Sequence, residues 1–146
     1  MNIWYIISTL FYFGKTPIAP GTIASLITML IWLLVPVNYF IQIIILIIIL
    51  ILGLISSKII SEKLNKKDPS EIVIDEVMGM GIALFMLPKE LILYLCAFFL
   101  FRIFDILKPS FIYSIQKVPH GWGIMLDDII AGVLTLLICQ GIYFTL

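Results

Sequence analysis

Residues 39–57 run from Tyr39 to Ser57 as an almost unbroken series of Ile and Leu. A membrane-spanning helix needs about 20 apolar residues, within a range of about 17–25, and this stretch has that length. The rest of the chain points the same way. Of its 146 residues, 62% are hydrophobic and 12% are charged, against about 45–50% and about 25% in soluble domains. One small globule cannot hide that much apolar surface, so lipid must solvate part of it. The expectation is an all-α fold: a polytopic helical membrane bundle of four to six segments, formed by a single domain over residues 1–146.

Other apolar runs cover residues 22–36, 72–87, 91–107 and 124–145, which makes five spans the best count. Residues 1–13 are too short to cross, and Trp4, Tyr5, Phe11 and Tyr12 suit the membrane interface. The start, Met1-Asn2-Ile3-Trp4, lacks the basic residues and cleavage site of a signal peptide, so it is expected to be retained. Two connections are tight, Pro36-Val37-Asn38 and Pro88-Lys89-Glu90. The longer ones cover residues 14–21, 58–71 and 108–123, and alternation of spans puts these three on one side. They hold Lys15, Lys58, Lys63, Lys66, Lys67, Lys108 and Lys117, whereas the tight turns hold only Lys89. Positive residues stay inside, so the longer loops are expected in the cytoplasm. Within residues 58–71, Asp68-Pro69-Ser70-Glu71 reads as a helix start, with Asp68 as cap and Glu71 closing a capping box. The helix it opens is expected to run to residue 87.

Ionisable residues in a span are costly and mark function by default. Four clusters qualify. They are Gly14-Lys15-Thr16-Pro17-Ile18-Ala19-Pro20-Gly21-Thr22 with Ser25; Asp75-Glu76; Arg102, Asp105 and Lys108; and Asp127-Asp128 after His120-Gly121-Trp122. The topology above puts all four at the cytoplasmic ends of their spans. Arg102, Asp105 and Lys108 are spaced by three and share a helix face. Gly79, Ala83, Ala131 and Gly132 are small enough to let helices approach closely. Mg2+ takes oxygen ligands from a few carboxylates and from substrate phosphate. Arg and Lys clamp phosphoryl oxygens, and Gly21-Thr22 at a helix start offers N–H groups to an anion. His120, as general acid or phosphate contact, and Lys15, as phosphate contact, are further candidates, with simple loop roles as the alternative.

Blander readings exist for several of these residues. Glu71 fits a helix cap. Asp127 and Asp128 fit a first turn, where the helix dipole favours carboxylates. Arg102 and Asp105 could simply neutralise each other. Lys58, Lys63, Lys66 and Lys67 read as topology signals. Cys96 and Cys139 sit in apolar runs as inert thiols. The C-x5-R spacing of Cys96 and Arg102 matches cysteine phosphatases, but the intervening Ala97-Phe98-Phe99-Leu100-Phe101 reads as helix in lipid. Zero net charge gives no bulk field for nucleic acid, and no protein partner is indicated.

At these residues the chain resembles the phosphatidylglycerophosphatase A family. The matching stretches are Ala19-Pro20-Gly21-Thr22 with Ser25-Leu26, Ile74-Asp75-Glu76-Val77 with Gly79, Phe101-Arg102-Ile103-Phe104-Asp105 through Lys108-Pro109, and Gly123-Ile124-Met125-Leu126-Asp127-Asp128 with Ala131-Gly132. The resemblance implies a Mg2+-dependent enzyme of phospholipid biosynthesis. It would hydrolyse phosphatidylglycerophosphate to phosphatidylglycerol and inorganic phosphate at a bacterial inner membrane. It also implies that Asp75, Glu76, Asp105, Asp127 and Asp128 are the metal and catalytic carboxylates. Arg102 and Lys108 would then contact phosphate, joined by Thr22, Ser25 and His120. Two other classes remain as alternatives. A small transporter would also carry intramembrane charge, but no internal repeat is seen. A lipid-headgroup phosphotransferase would also use carboxylates on a metal, but its long Asp-Gly to Asp spacing is not found.

Overall fold

The computed structural model describes residues 2–109, 118 and 121–145. Among them every regular element is helical. The order is α1 (Ile3–Ser8), a 3-10 turn (Phe13–Lys15), α2 (Pro20–Trp32), α3 (Tyr39–Leu64), α4 (Ile74–Ala83), α5 (Leu91–Leu107) and α6 (Trp122–Thr145).

Local chemistry sets several helix ends. Asn2 caps α1 by accepting from the Trp4 N–H at 3.1 Å, and Asn38 caps α3 by accepting from Ile41 N–H at 3.2 Å. Pro20 opens α2, where its missing N–H costs nothing. Asn65 ends α3 in the left-handed region, with φ 51°, a conformation that asparagine tolerates better than most residues.

Helices α3 and α6 are long and apolar enough to cross a membrane, at 26 and 24 residues. Only 22% of the most apolar window of α3 is buried. Ile44, Ile47, Ile48 and Ile51 are all at least half exposed. Such an outward apolar face fits a helix in contact with lipid or with a partner.

The short helix α4 occupies the middle and packs on α6, α2, α3 and α5. Eight of its ten residues are buried. Its small side chains explain that position. A Cβ on Gly79 would lie 2.6 Å from the Asp128 carbonyl oxygen, and a Cβ on Gly132 would collide with the Gly79 carbonyl. Helices α4 and α6 therefore cross glycine to glycine. In lipid, helix association gains mainly from such close contact rather than from removal of water.

Two expectations about α4 are corrected. Its start lies at Ile74 rather than at Asp68-Pro69, and it ends at Ala83 rather than at residue 87. The incoming strand of chain is drawn sideways onto α1: Val73 N–H donates to Ser8 O at 2.9 Å, and the Glu71 carboxylate accepts from the Tyr5 hydroxyl. Glu71 is thus not the capping residue expected. At the other end, Met86 adopts φ 55°, and its N–H donates to Gln42 Oε1 at 2.8 Å. The same Gln42 donates from Nε2 to Pro36 O at 3.0 Å. This buried amide ties the first tight turn to the chain just ahead of the second, at one end of the bundle.

Candidate metal and phosphate site

The charged clusters meet at the end opposite those turns. Asp75 and Glu76 occupy the first turn of α4, where the N-terminal end of the helix dipole favours negative charge. Asp127 and Asp128 lie in the second turn of α6 rather than the first turn expected, because the helix already starts at Trp122, and Arg102 and Asp105 lie in the last turns of α5. One carboxylate oxygen each from Asp75, Glu76 and Asp128 falls within 4.8 Å of the others. Asp75 is 8% exposed and Asp128 is 2% exposed.

Their hydrogen bonding is incomplete. Among the described residues, Asp75 Oδ1, Glu76 Oε2 and Asp128 Oδ2 are buried without a hydrogen-bond partner. Buried carboxylates are stable only when paired, hydrogen-bonded or coordinating a metal. Three neighbouring carboxylates, each with an unsatisfied oxygen, fit a hard divalent cation, which draws ligands from carboxylate oxygens.

The remaining charges frame this group. Arg102 Nη1 pairs with Asp105 Oδ2 at 2.5 Å. Arg102 Nε is buried and donates to no described residue. Lys108 Nζ donates to Asp127 Oδ2 at 2.7 Å. Burial opposes the Lys108 charge, but its hydrogen bond to Asp127 and the charges of Asp127, Asp128 and Asp105 hold its ammonium above the usual lysine range. Asp127 Oδ1 also accepts from the Asp128 N–H at 3.1 Å. Asp127 and Asp105 therefore flank the three-carboxylate group, each engaged by a cation. The sequence does not distinguish these flanking carboxylates from the inner three.

The start of α2 closes the site. A Cβ on Gly21 would run into the Glu76 carboxylate and lie 3.3 Å from Arg102 Nη1. Only glycine lets the backbone come so near. Thr22 follows in the same first turn. The Ser25 hydroxyl, fully buried, donates to Gly21 O at 2.8 Å. It holds the turn and has no proton left for a ligand. His120 lies outside the described residues. Cys96 is free and sits within α5, so the Cys96–Arg102 spacing forms no phosphate loop. Cys96 is only half-buried, whereas Cys139 is buried as expected.

Two features escaped the sequence reading. Tyr5 holds Glu71 by a hydrogen bond, and burial followed by that bond and the Glu71 charge push the phenol up to about 12. Lys15 lies over the rings of Tyr5 and Tyr12, with 5.1 and 5.5 Å to their centroids. The aromatic residues near the start carried a membrane-interface signal, which masked this second use.

The family model for phosphatidylglycerophosphatase A matches residues 6–143. A putative phosphatidylinositol-3-phosphatase of Bacteroides thetaiotaomicron is 33% identical over 138 residues, covering 88% of this chain and 86% of that protein. Phosphatidylglycerophosphatase A of Escherichia coli is 33% identical over 137 residues, covering 92% and 80%. The Haemophilus influenzae enzyme of the same name is 40% identical over 79 residues, covering 53% and 48%. No solved structure matches the chain. With the family model spanning nearly its whole length, this chain belongs to the phosphatidylglycerophosphatase A family of phosphoric monoester hydrolases.

Proposed function

We propose that the protein hydrolyses phosphatidylglycerophosphate to phosphatidylglycerol and inorganic phosphate, with Mg2+ as cofactor, at the cytoplasmic face of a bacterial inner membrane. The observation that carries this reading is the convergence of two buried carboxylates, Asp75 and Asp128, with the partly buried Glu76, each with an oxygen that finds no partner among the described residues, beside the partly buried Arg102. In this proposal Asp75, Glu76 and Asp128 hold the cation. Bound there, Mg2+ would shield phosphate charge and activate water.

The chain's own residues supply the rest. Arg102 turns its unused donors toward the phosphoryl oxygens, with Asp105 fixing the guanidinium. Lys108, set by Asp127, adds a second cation. The N–H groups in the first turn of α2, at Gly21 and Thr22, have no acceptor within the helix and favour an anion. In the overall reaction, water adds its oxygen to phosphorus and the bond from phosphorus to the glycerol oxygen breaks. The two water protons end on the released glycerol hydroxyl and on phosphate.

The chain acts as one domain of five membrane segments, α2 to α6, and α1 lies in the interface. Among the described helices α3 and α6 have full spanning length, while α2 and α4, at 13 and 10 residues, rely on their flanking residues. The lysine-rich connections share the end that holds the carboxylates, which supports a cytoplasmic site. A second substrate, phosphatidylinositol-3-phosphate, is favoured by one observation, the name carried by the Bacteroides relative. Phosphate release from both lipids by purified protein separates the readings. Faster release from phosphatidylglycerophosphate is expected. Release from the inositol lipid alone would replace the first substrate with the second, and release from neither would overturn the phosphatase assignment.

A further inference from the structure

A cleft of about 460 Å3 adjoins the carboxylate site, lined by residues 14–17, Pro20, Ser70 and Glu71. It is a built feature. The Tyr5 hydroxyl donates to Glu71 on one wall. Gly14 packs so closely on the Glu71 carbonyl that a Cβ has no room. The Lys15 ammonium rests over Tyr5 and Tyr12 and makes no ion pair among the described residues.

Two chain segments lead straight from this cleft to the carboxylates. Pro20 lines it, and the next residue, Gly21, lies against Glu76 and Arg102. Glu71 lines it, and Asp75 follows four residues later, in the first turn of α4. A headgroup whose terminal phosphate sits among Asp75, Glu76 and Asp128 would therefore lay its remainder in the cleft.

We propose that Lys15 reads a second phosphate, the diester that joins the headgroup to the acylglycerol, while Glu71 accepts from a headgroup hydroxyl. This rests on the phosphatase reading above. It makes the substrate class a lipid carrying both a monoester and a diester phosphate. Lys15 fits because its ammonium makes no ion pair among the described residues and the two rings fix its place. Glu71 keeps one oxygen beyond the one given to Tyr5, and a carboxylate there excludes a second dianion while accepting a hydroxyl.

The test measures phosphate release in mixed micelles from phosphatidylglycerophosphate and from phosphatidic acid, whose single phosphate is the monoester. Wild type, Lys15→Met and Lys15→Arg are compared by the ratio of kcat/KM for the two lipids. Wild type is expected to prefer the two-phosphate lipid. Lys15→Met should cut that preference about tenfold, or about 1.4 kcal/mol, mainly through KM. Lys15→Arg should restore most of it. An unchanged preference in Lys15→Met would overturn the role of the cleft while leaving the phosphatase reading intact. Release from neither lipid by wild type would overturn both.

Discussion

Asp128 is nearly inaccessible, yet one of its oxygens finds no partner among the described residues. Removing a charge from water costs several kcal/mol even after relaxation, so its companions Asp75 and Glu76 compound the cost unless a cation offsets it. Neutral amides in their place should relieve that repulsion while removing the ligands. Asp75→Asn and Asp128→Asn are therefore expected to fold at least as well as wild type and to lose on the order of a thousandfold in kcat, taking as guide the upper loss seen when one stabilising contact to a transition state is removed. Melting in detergent and phosphate release check both halves, and near-wild-type turnover would refute the assignment. These carboxylates were legible because charge inside an apolar run has few uses. Their division of labour was not legible, because Asp127 and Asp128 differ only in which way each side chain points. Glu71 was misread because its sequence neighbours fit a cap, whereas its partner is Tyr5, far away in the chain.

At the scale of elements, the crossing of α4 and α6 determines whether the ligands meet. Gly132→Ala pushes a methyl into the Gly79 carbonyl. It is expected to destabilise by about 1–3 kcal/mol, the usual cost of overpacking, and to weaken metal binding as the helices separate. Gly141→Ala is the control, since nothing lies within 4 Å of its added Cβ. It should be neutral or gain stability of up to about 1 kcal/mol from helix propensity. Equal melting temperatures for the two variants would remove the crossing from the account. Helix α5 was legible to the residue, as its apolar run of residues 91–107 is flanked by Glu90 and Lys108. Helix α4 was not, because hydrogen bonds to α1 and to Gln42 trim both of its ends. Local propensity does not register such distant partners.

For the whole molecule, loop length already sorted the chain into two ends. Gln42 bonds to Pro36 in the first tight turn and to Met86, two residues before the second, and the carboxylates gather at the far end. If that far end is cytoplasmic, a cysteine placed at Lys89 should label from outside the cell with an impermeant maleimide, and one placed at Lys66 should not. Cys96→Ala and Cys139→Ala supply the background. The reverse pattern would invert the proposed orientation while leaving the geometry of the site intact.

The central claim is that Asp75, Glu76 and Asp128 form one divalent-metal site that phosphate release requires. Purified protein stripped with chelator, assayed on phosphatidylglycerophosphate before and after Mg2+ is restored, tests it most directly. No release is expected from the stripped protein, and full recovery is expected once the metal is restored. Sustained release in excess chelator would contradict it.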